Sequence, residues 1–179
     1  ELHNYKYEHY TALDSLGRVG EAEANLDDAM RPTGKRGDLN TKPTGWDQYK
    51  YPTSIVSGGW LYNRSHLIGY QLTGQNDNPL NLMTGTRYFN ASSMLPFENA
   101  VADYIKKYTD DHIAYRVTPV FVGNNLLARG VIMEAETVLA TDDETQPDDS
   151  EAAASLSSSE AADTNADKDA TPAKAADTE

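Results

Sequence analysis

The sequence predicts an α+β domain built on a central antiparallel sheet and followed by a disordered acidic tail. Three observations lead there. Short aromatic and β-branched runs are separated by Gly, Asn and Pro clusters, which marks strands joined by turns. One segment, near residue 100, has a clean helical period. The composition then breaks after Leu139: from Thr141 onward there is no aromatic residue, and Ala, Ser, Thr, Asp and Glu take over.

The chain opens on Tyr5-Lys6-Tyr7-Glu8-His9-Tyr10, suited to a strand, and continues through Leu13-Asp14-Ser15-Leu16-Gly17, where Asp, Ser and Gly predict the turn of a hairpin. Residues 21–30, rich in Ala, Glu and Leu, predict a short helix. Pro32, Gly34, Gly37 and the Pro43 to Gly45 run then impose a long loop. Gly58-Gly59 predicts a tight turn leading into a strand through His66, and Gly74 to Pro79 predicts a loop. Phe97, Val101, Tyr104, Ile105 and Tyr108 recur at helical spacing, with Pro96 in the first turn, so 97–108 is expected as an amphipathic helix. Residues 115–122 and 128–138 predict two strands around Gly123-Asn124-Asn125, with Pro119 pointing to an edge.

The boundaries expected from composition are a domain over 1–140 and a tail over 141–179. The tail holds a single large aliphatic residue, Leu156, and cannot bury enough apolar surface to offset the entropy of ordering it. The net charge of −13 argues at first against a polyanion partner, but 12 acidic and 2 basic residues fall in the tail, against 16 and 13 before it. The domain is therefore close to neutral. Between Arg31 and Arg64 it is locally basic, with only Asp38 and Asp47 opposing six cations, so a phosphate-contacting surface is allowed there. The absence of cysteine excludes disulfides, thiolate zinc sites and Cys-His catalysis. No apolar run has the length that spans a bilayer, and the chain starts at Glu1 without Met, as a processed mature protein or a trimmed chain would, which allows secretion without showing it.

Of the four histidines, only His66 sits among residue types that carry chemistry: Arg64 beside it, then Asn81, Asn90 and Glu98 in an Asn-rich stretch. Phosphodiester cleavage needs an activated water, relief of charge at phosphorus and help for the leaving oxygen. An imidazole supplies a base near neutral pH. Asn carbonyls and a carboxylate suit a hard cation that keeps most of its water, and Arg64 could neutralise a phosphate oxygen. Gly34-Lys35-Arg36 lacks the glycine spacing and Ser/Thr of a phosphate loop, and Asp77 lacks the acidic spacing of a calcium loop.

The run Leu61 to Tyr70, with Asn81 to Asn90 and Met94 to Asn99, resembles the DNA/RNA non-specific endonuclease family, and within it the secreted streptodornase-like bacterial DNases. The likeness covers roughly residues 5–140 and is strongest over 58–99. The family signature Asp-Arg-Gly-His is matched at Arg64 and His66 and departed from at Asn63 and Ser65. The resemblance implies a ββα-metal finger as the active unit, a member of the His-Me finger class. It implies His66 as general base, Asn90 as direct ligand of Mg²⁺ or Mn²⁺, Glu98 as a ligand through water and Asn81 near the scissile phosphate. Arg87, Arg36 and Arg31 are the candidate phosphate-binding cations. The expected function is Mg²⁺-dependent, sequence-non-specific cleavage of DNA, with RNA as a second substrate, leaving 5′-phosphate ends. The competing reading is a secreted nucleic-acid or surface binding module that keeps the scaffold without turnover.

Overall fold

The computed structural model describes residues 6–138; the expected domain boundary at 140 and the acidic tail lie outside the described residues. Strand β1 (Tyr7–Tyr10) pairs antiparallel with β2 (Ala22–Leu26), β2 with β5 (His112–Val120), and β5 with β6 (Gly130–Val138). This gives a four-stranded sheet in the order β1-β2-β5-β6. A separate two-stranded ribbon joins β3 (Tyr62–His66) to β4 (Leu82–Thr86), with a single helical turn, α1 (Tyr70–Thr73), between them. A π turn over Phe89–Met94 then runs directly into α2 (Leu95–Lys107). Two antiparallel strands followed by a helix is the ββα unit expected from the sequence.

The helix expected over 21–30 is instead β2 and a single 3₁₀ turn, Asp28–Met30. The reason is tertiary: Ala22, Ala24 and Leu26, two residues apart, all lie in the core and the segment pairs with strands on both sides, which outweighs the helix propensity of Ala and Glu. The predicted Asp14 turn is present. The Asp14 carboxylate accepts from the backbone N–H of Leu16 and Arg18, and Gly17 takes φ 74°. Both arms extend past it, so that Tyr10 faces Ala22. The Pro119 strand is not an outer strand, since β5 lies between β2 and β6; its pairing with β2 stops at Val117, however, so Pro119 has no partner on that side to bond.

One core serves both sheets. Ala22, Ala24, Leu26, Ile113, Tyr115 and Val117 from the four-stranded sheet share a cluster with Met83 from the ribbon, Leu67, Ile68 and Leu72 from the segment joining its strands, and Val101, Ala102 and Ile105 from α2. The helix face differs from the predicted one. Phe97 is 60% exposed and Tyr108 42%, whereas Met94, Val101 and Ile105 are buried. The inward stripe therefore runs 94, 98, 101, 105, and the residue it turns toward the ribbon in its first turn is Glu98 rather than Phe97.

Leu26 is fully buried in this shared core. Leu26→Ala is expected to lower unfolding free energy by about 2–5 kcal/mol, read by urea denaturation with an unchanged m-value.

Candidate active site

His66 is the last residue of β3, and its side chain is 6% exposed. Two loops meet over it. Its Nε2 lies 2.7 Å from the carbonyl oxygen of Asn76, and its Nδ1 lies 3.2 Å from Nη2 of Arg36. A carbonyl can only accept and a guanidinium can only donate. The ring is thus the neutral tautomer with the proton on Nε2 and the lone pair on Nδ1, so Nδ1 is its basic atom. Burial pushes its pKa down to about 4; the Asn76 contact and the charge of Asp77 act in the opposite direction, and Arg36 adds to the depression.

The loops are tied to each other by polar side chains. Asp77 accepts from the backbone N–H of Asn40 at 3.0 Å and of Thr41 at 2.9 Å, and the amide of Asn76 donates to the carbonyl of Asp38. Burial alone would raise the Asp77 pKa, but these N–H donors outweigh it and hold the carboxylate below its ordinary value. Asp77 is a loop clamp, consistent with its failure as a calcium ligand. Arg64 serves the same junction: its Nε donates to the Thr41 carbonyl, and its guanidinium lies 4.3 Å from the centre of the Trp46 ring.

Asn81, expected near the scissile phosphate, is fully buried. Its Oδ1 accepts from the N–H of Ile68 at 2.9 Å and its Nδ2 donates to the carbonyl of Ile68 at 3.0 Å. The amide completes the backbone bonds of the segment leaving His66 and is enclosed by the protein. Of the candidate cations, Arg36 is the one bonded to His66. Arg31 pairs with Asp28 at 2.8 Å, three residues back. Arg87 lies at the opposite end of the ribbon, its guanidinium carbon 3.4 Å from where a Cβ on Gly58 would sit.

Asn90 sits in the π turn and is half-buried; Glu98 is in the first turn of α2. In a regular α-helix, eight residues leave two side chains roughly 80° apart around the axis. The i→i+5 closure of a π turn takes up an extra residue, which brings the two back toward one face. Glu98 reaches the ribbon: its Oε2 lies 2.9 Å from where a Cβ on Gly69 would be, three residues after His66. Burial, and after it the charge of Glu98, raises the pKa of the buried Tyr115 phenol. The departures in the signature are also accommodated. Ser65 is fully buried, and its Oγ, which has no hydrogen-bond partner among the described residues, fills the space where a Cβ on Gly85 would sit.

An amide oxygen and a carboxylate on adjacent turns are hard oxygen donors. Among the described residues no cluster of three His, Asp or Glu could hold an ion by itself. A cation here would keep most of its hydration shell, which a small divalent ion such as Mg²⁺ tolerates.

A ribbon and helix presenting a neutral, buried imidazole, a guanidinium and hard oxygen donors define a hydrolytic nuclease fold. Residues 2–138 match the DNA/RNA non-specific endonuclease family, and the chain belongs to that family. It is similar to NucA from Streptococcus agalactiae with magnesium ion bound (26% identity, TM-score 0.67, covering 76% of this chain and 68% of that one). It is similar also to the Sda1 nuclease with bound zinc ion (32% identity, TM-score 0.64, 73% and 68%). An extracellular endonuclease at 24% identity shares the fold, with a TM-score of 0.61. No curated protein matches the chain. The protein is an endonuclease, and no helix among the described residues is long and apolar enough to cross a membrane.

The buried imidazole makes stability pH-dependent. Its folded pKa lies below the ordinary 6.5, so the folded state resists the proton that the unfolded chain accepts. Relative to His66→Ala, the wild-type protein is expected to lose on the order of 3 kcal/mol as pH falls from above 6.5 through 4, with no difference in slope above pH 7, measured by chemical denaturation at each pH.

Proposed function

We propose that the protein is a divalent-metal-dependent, sequence-non-specific DNase with His66 as its general base, acting outside the cell and able to take RNA as a second substrate. The observation that carries this reading is the fixed tautomer: with Nε2–H held by Asn76, the Nδ1 lone pair of His66 faces the Arg36 guanidinium and is free of a proton at neutral pH. A low basicity is compatible with the role, because a base must be unprotonated to act and neutral imidazole is its resting form here. The extracellular assignment follows from the resemblance to secreted DNases.

Arg36 is exposed and can exchange its bond to His66 for a bond to a phosphate oxygen, which draws the phosphodiester over Nδ1. Nδ1 then takes a proton from a water that attacks phosphorus in line with the 3′ oxygen. The P–O3′ bond breaks, and the phosphate remains on the 5′ side. A divalent ion, Mg²⁺ by the all-oxygen donor set and Mn²⁺ in its place, would when bound stabilise the charge that builds at phosphorus and on the leaving oxygen. Asn90 would hold it directly, and Glu98 would orient its water shell from the ledge beside Gly69. Arg64 and Asn81 keep the base and its strand in place. Contacts of this kind go to phosphate and carry no base information, which accounts for low sequence selectivity.

Plasmid and linear DNA are expected to be degraded in Mg²⁺, with EDTA abolishing cleavage. His66→Ala should lower the rate by about 100-fold or more, and Arg36→Ala by less, chiefly through KM. A retarded but intact DNA band in the wild-type lane would contradict the reading and favour a binding module.

Gly69 has ordinary β-region geometry, φ −57° and ψ 143°, so its lack of a side chain serves Glu98 rather than the backbone. Gly69→Ala should leave the melting temperature nearly unchanged, because the flexible carboxylate can swing aside, yet weaken Mn²⁺ binding about 10–100-fold, followed by calorimetry.

A further inference from the structure

Backbone pairing continues N-terminal to β3, on the side away from His66. Leu61 donates to the carbonyl of Tyr49 and accepts from the N–H of Arg87, and Lys50 bridges to Trp60 in antiparallel register. Gln48 continues the pairing with its side chain, bonding both the N–H and the carbonyl of Tyr62. Residues two apart along β3 share a face, which puts Tyr62, Arg64 and His66 on one side; Leu61 is a bend, and Trp60 lies just beyond it, held by its bridge to Lys50. At about 3.3 Å per residue, the six residue steps from Trp60 to His66 span on the order of 20 Å.

Cations are paired with aromatic rings along this track. Lys50 Nζ lies 5.6 Å from the centre of the Trp60 ring, the Arg64 guanidinium 4.3 Å from that of Trp46, and the Arg36 guanidinium 5.6 Å from that of Tyr70. The inner two pairs belong to the machinery around His66. The outer one stands apart: Lys50 is exposed, Trp60 is half-buried, and the ring of His66 bonds Asn76 and Arg36 instead. Both tryptophans of the chain lie on this track, and between Lys42 and His66 the one acidic residue is Asp47.

We infer that Trp60 and Lys50 form a remote substrate subsite that stacks an unpaired base and holds its phosphate, a few nucleotides from the bond broken at His66. This rests on the nuclease reading above and adds a substrate class to it. An indole face offers a π surface that any base can stack on, and the ammonium beside it supplies charge for the backbone. In a duplex the base faces are already stacked on their neighbours, so the ring has nothing to bind. The separation of about 20 Å spans roughly three to six nucleotides, from an extended to a helically stacked strand. The subsite thus favours single-stranded stretches, and it does so without reading sequence.

Binding in the absence of cleavage tests this. In a His66→Ala background without divalent metal, fluorescence anisotropy would compare a 12-nucleotide single-stranded DNA with a hairpin duplex of matched length. Adding Trp60→Ala should weaken the single strand about 5- to 150-fold and the duplex less than twofold, with Trp60→Phe restoring most of the affinity. Lys50→Ala, an exposed change that spares the fold, should weaken the single strand and reduce its salt dependence by about one phosphate contact. Equal losses on both DNAs, unchanged single-strand affinity in Trp60→Ala and Lys50→Ala, or no binding of the single strand at all would overturn the subsite. Failure of the nuclease reading would register separately, as absence of cleavage by the wild-type protein in Mg²⁺.

Discussion

The bond from His66 Nε2 to the Asn76 carbonyl is the constraint on which the site depends. It fixes which nitrogen is protonated, and with it which nitrogen can act as a base. It also requires the 74–79 loop to sit directly over the end of β3, and that loop is held there by Asp77 and Asn76 gripping the backbone at 38–41. The same clamp brings the 34–38 segment, and so Arg36, to the other ring nitrogen. One hydrogen bond thus couples a long glycine- and proline-punctuated loop to the chemistry. The residues that look unremarkable beside the histidine, Asn76 and Asp77, determine how it works.

Beneath the ring, the ββα unit acts as a rigid mount. Asn81 completes the backbone bonds of Ile68, and Leu67 and Ile68 anchor the exit of β3 in the core shared with the four-stranded sheet. The π turn before α2 changes the helical phase between Asn90 and Glu98, and the inward stripe 94, 98, 101, 105 turns a carboxylate toward the ribbon at a position otherwise suited to an apolar side chain. Glu98 is only half-buried there, so its carboxylate keeps part of its hydration on an otherwise apolar stripe.

Much of this was legible in the sequence. The segment from Gly58 to Glu98 carried its family pattern in short-range spacings, and the amphipathic repeat through Val101 and Ile105 gave the helix. What was not legible depended on contacts distant in sequence. Ala22 to Leu26 has helix-forming composition, and it becomes a strand because β1 and β5 flank it. Asn81 fits the family spacing to Asn90, but spacing is blind to burial and to the two bonds its amide makes with Ile68. Arg36 stood level with Arg31 and Arg87 because nothing local distinguishes three arginines; a bond across 30 residues does. The π turn had no signal at all, since its residues, Phe89 to Met94, suit an ordinary helix equally well.

The tautomer of His66 is the most direct test of this account, and nitrogen-15 NMR of the histidine-labelled protein reads it without substrate or metal. The account predicts a neutral ring with its proton on Nε2 at pH 7, titrating well below the ordinary histidine range. A ring protonated on Nδ1, or an imidazolium at pH 7, would contradict it.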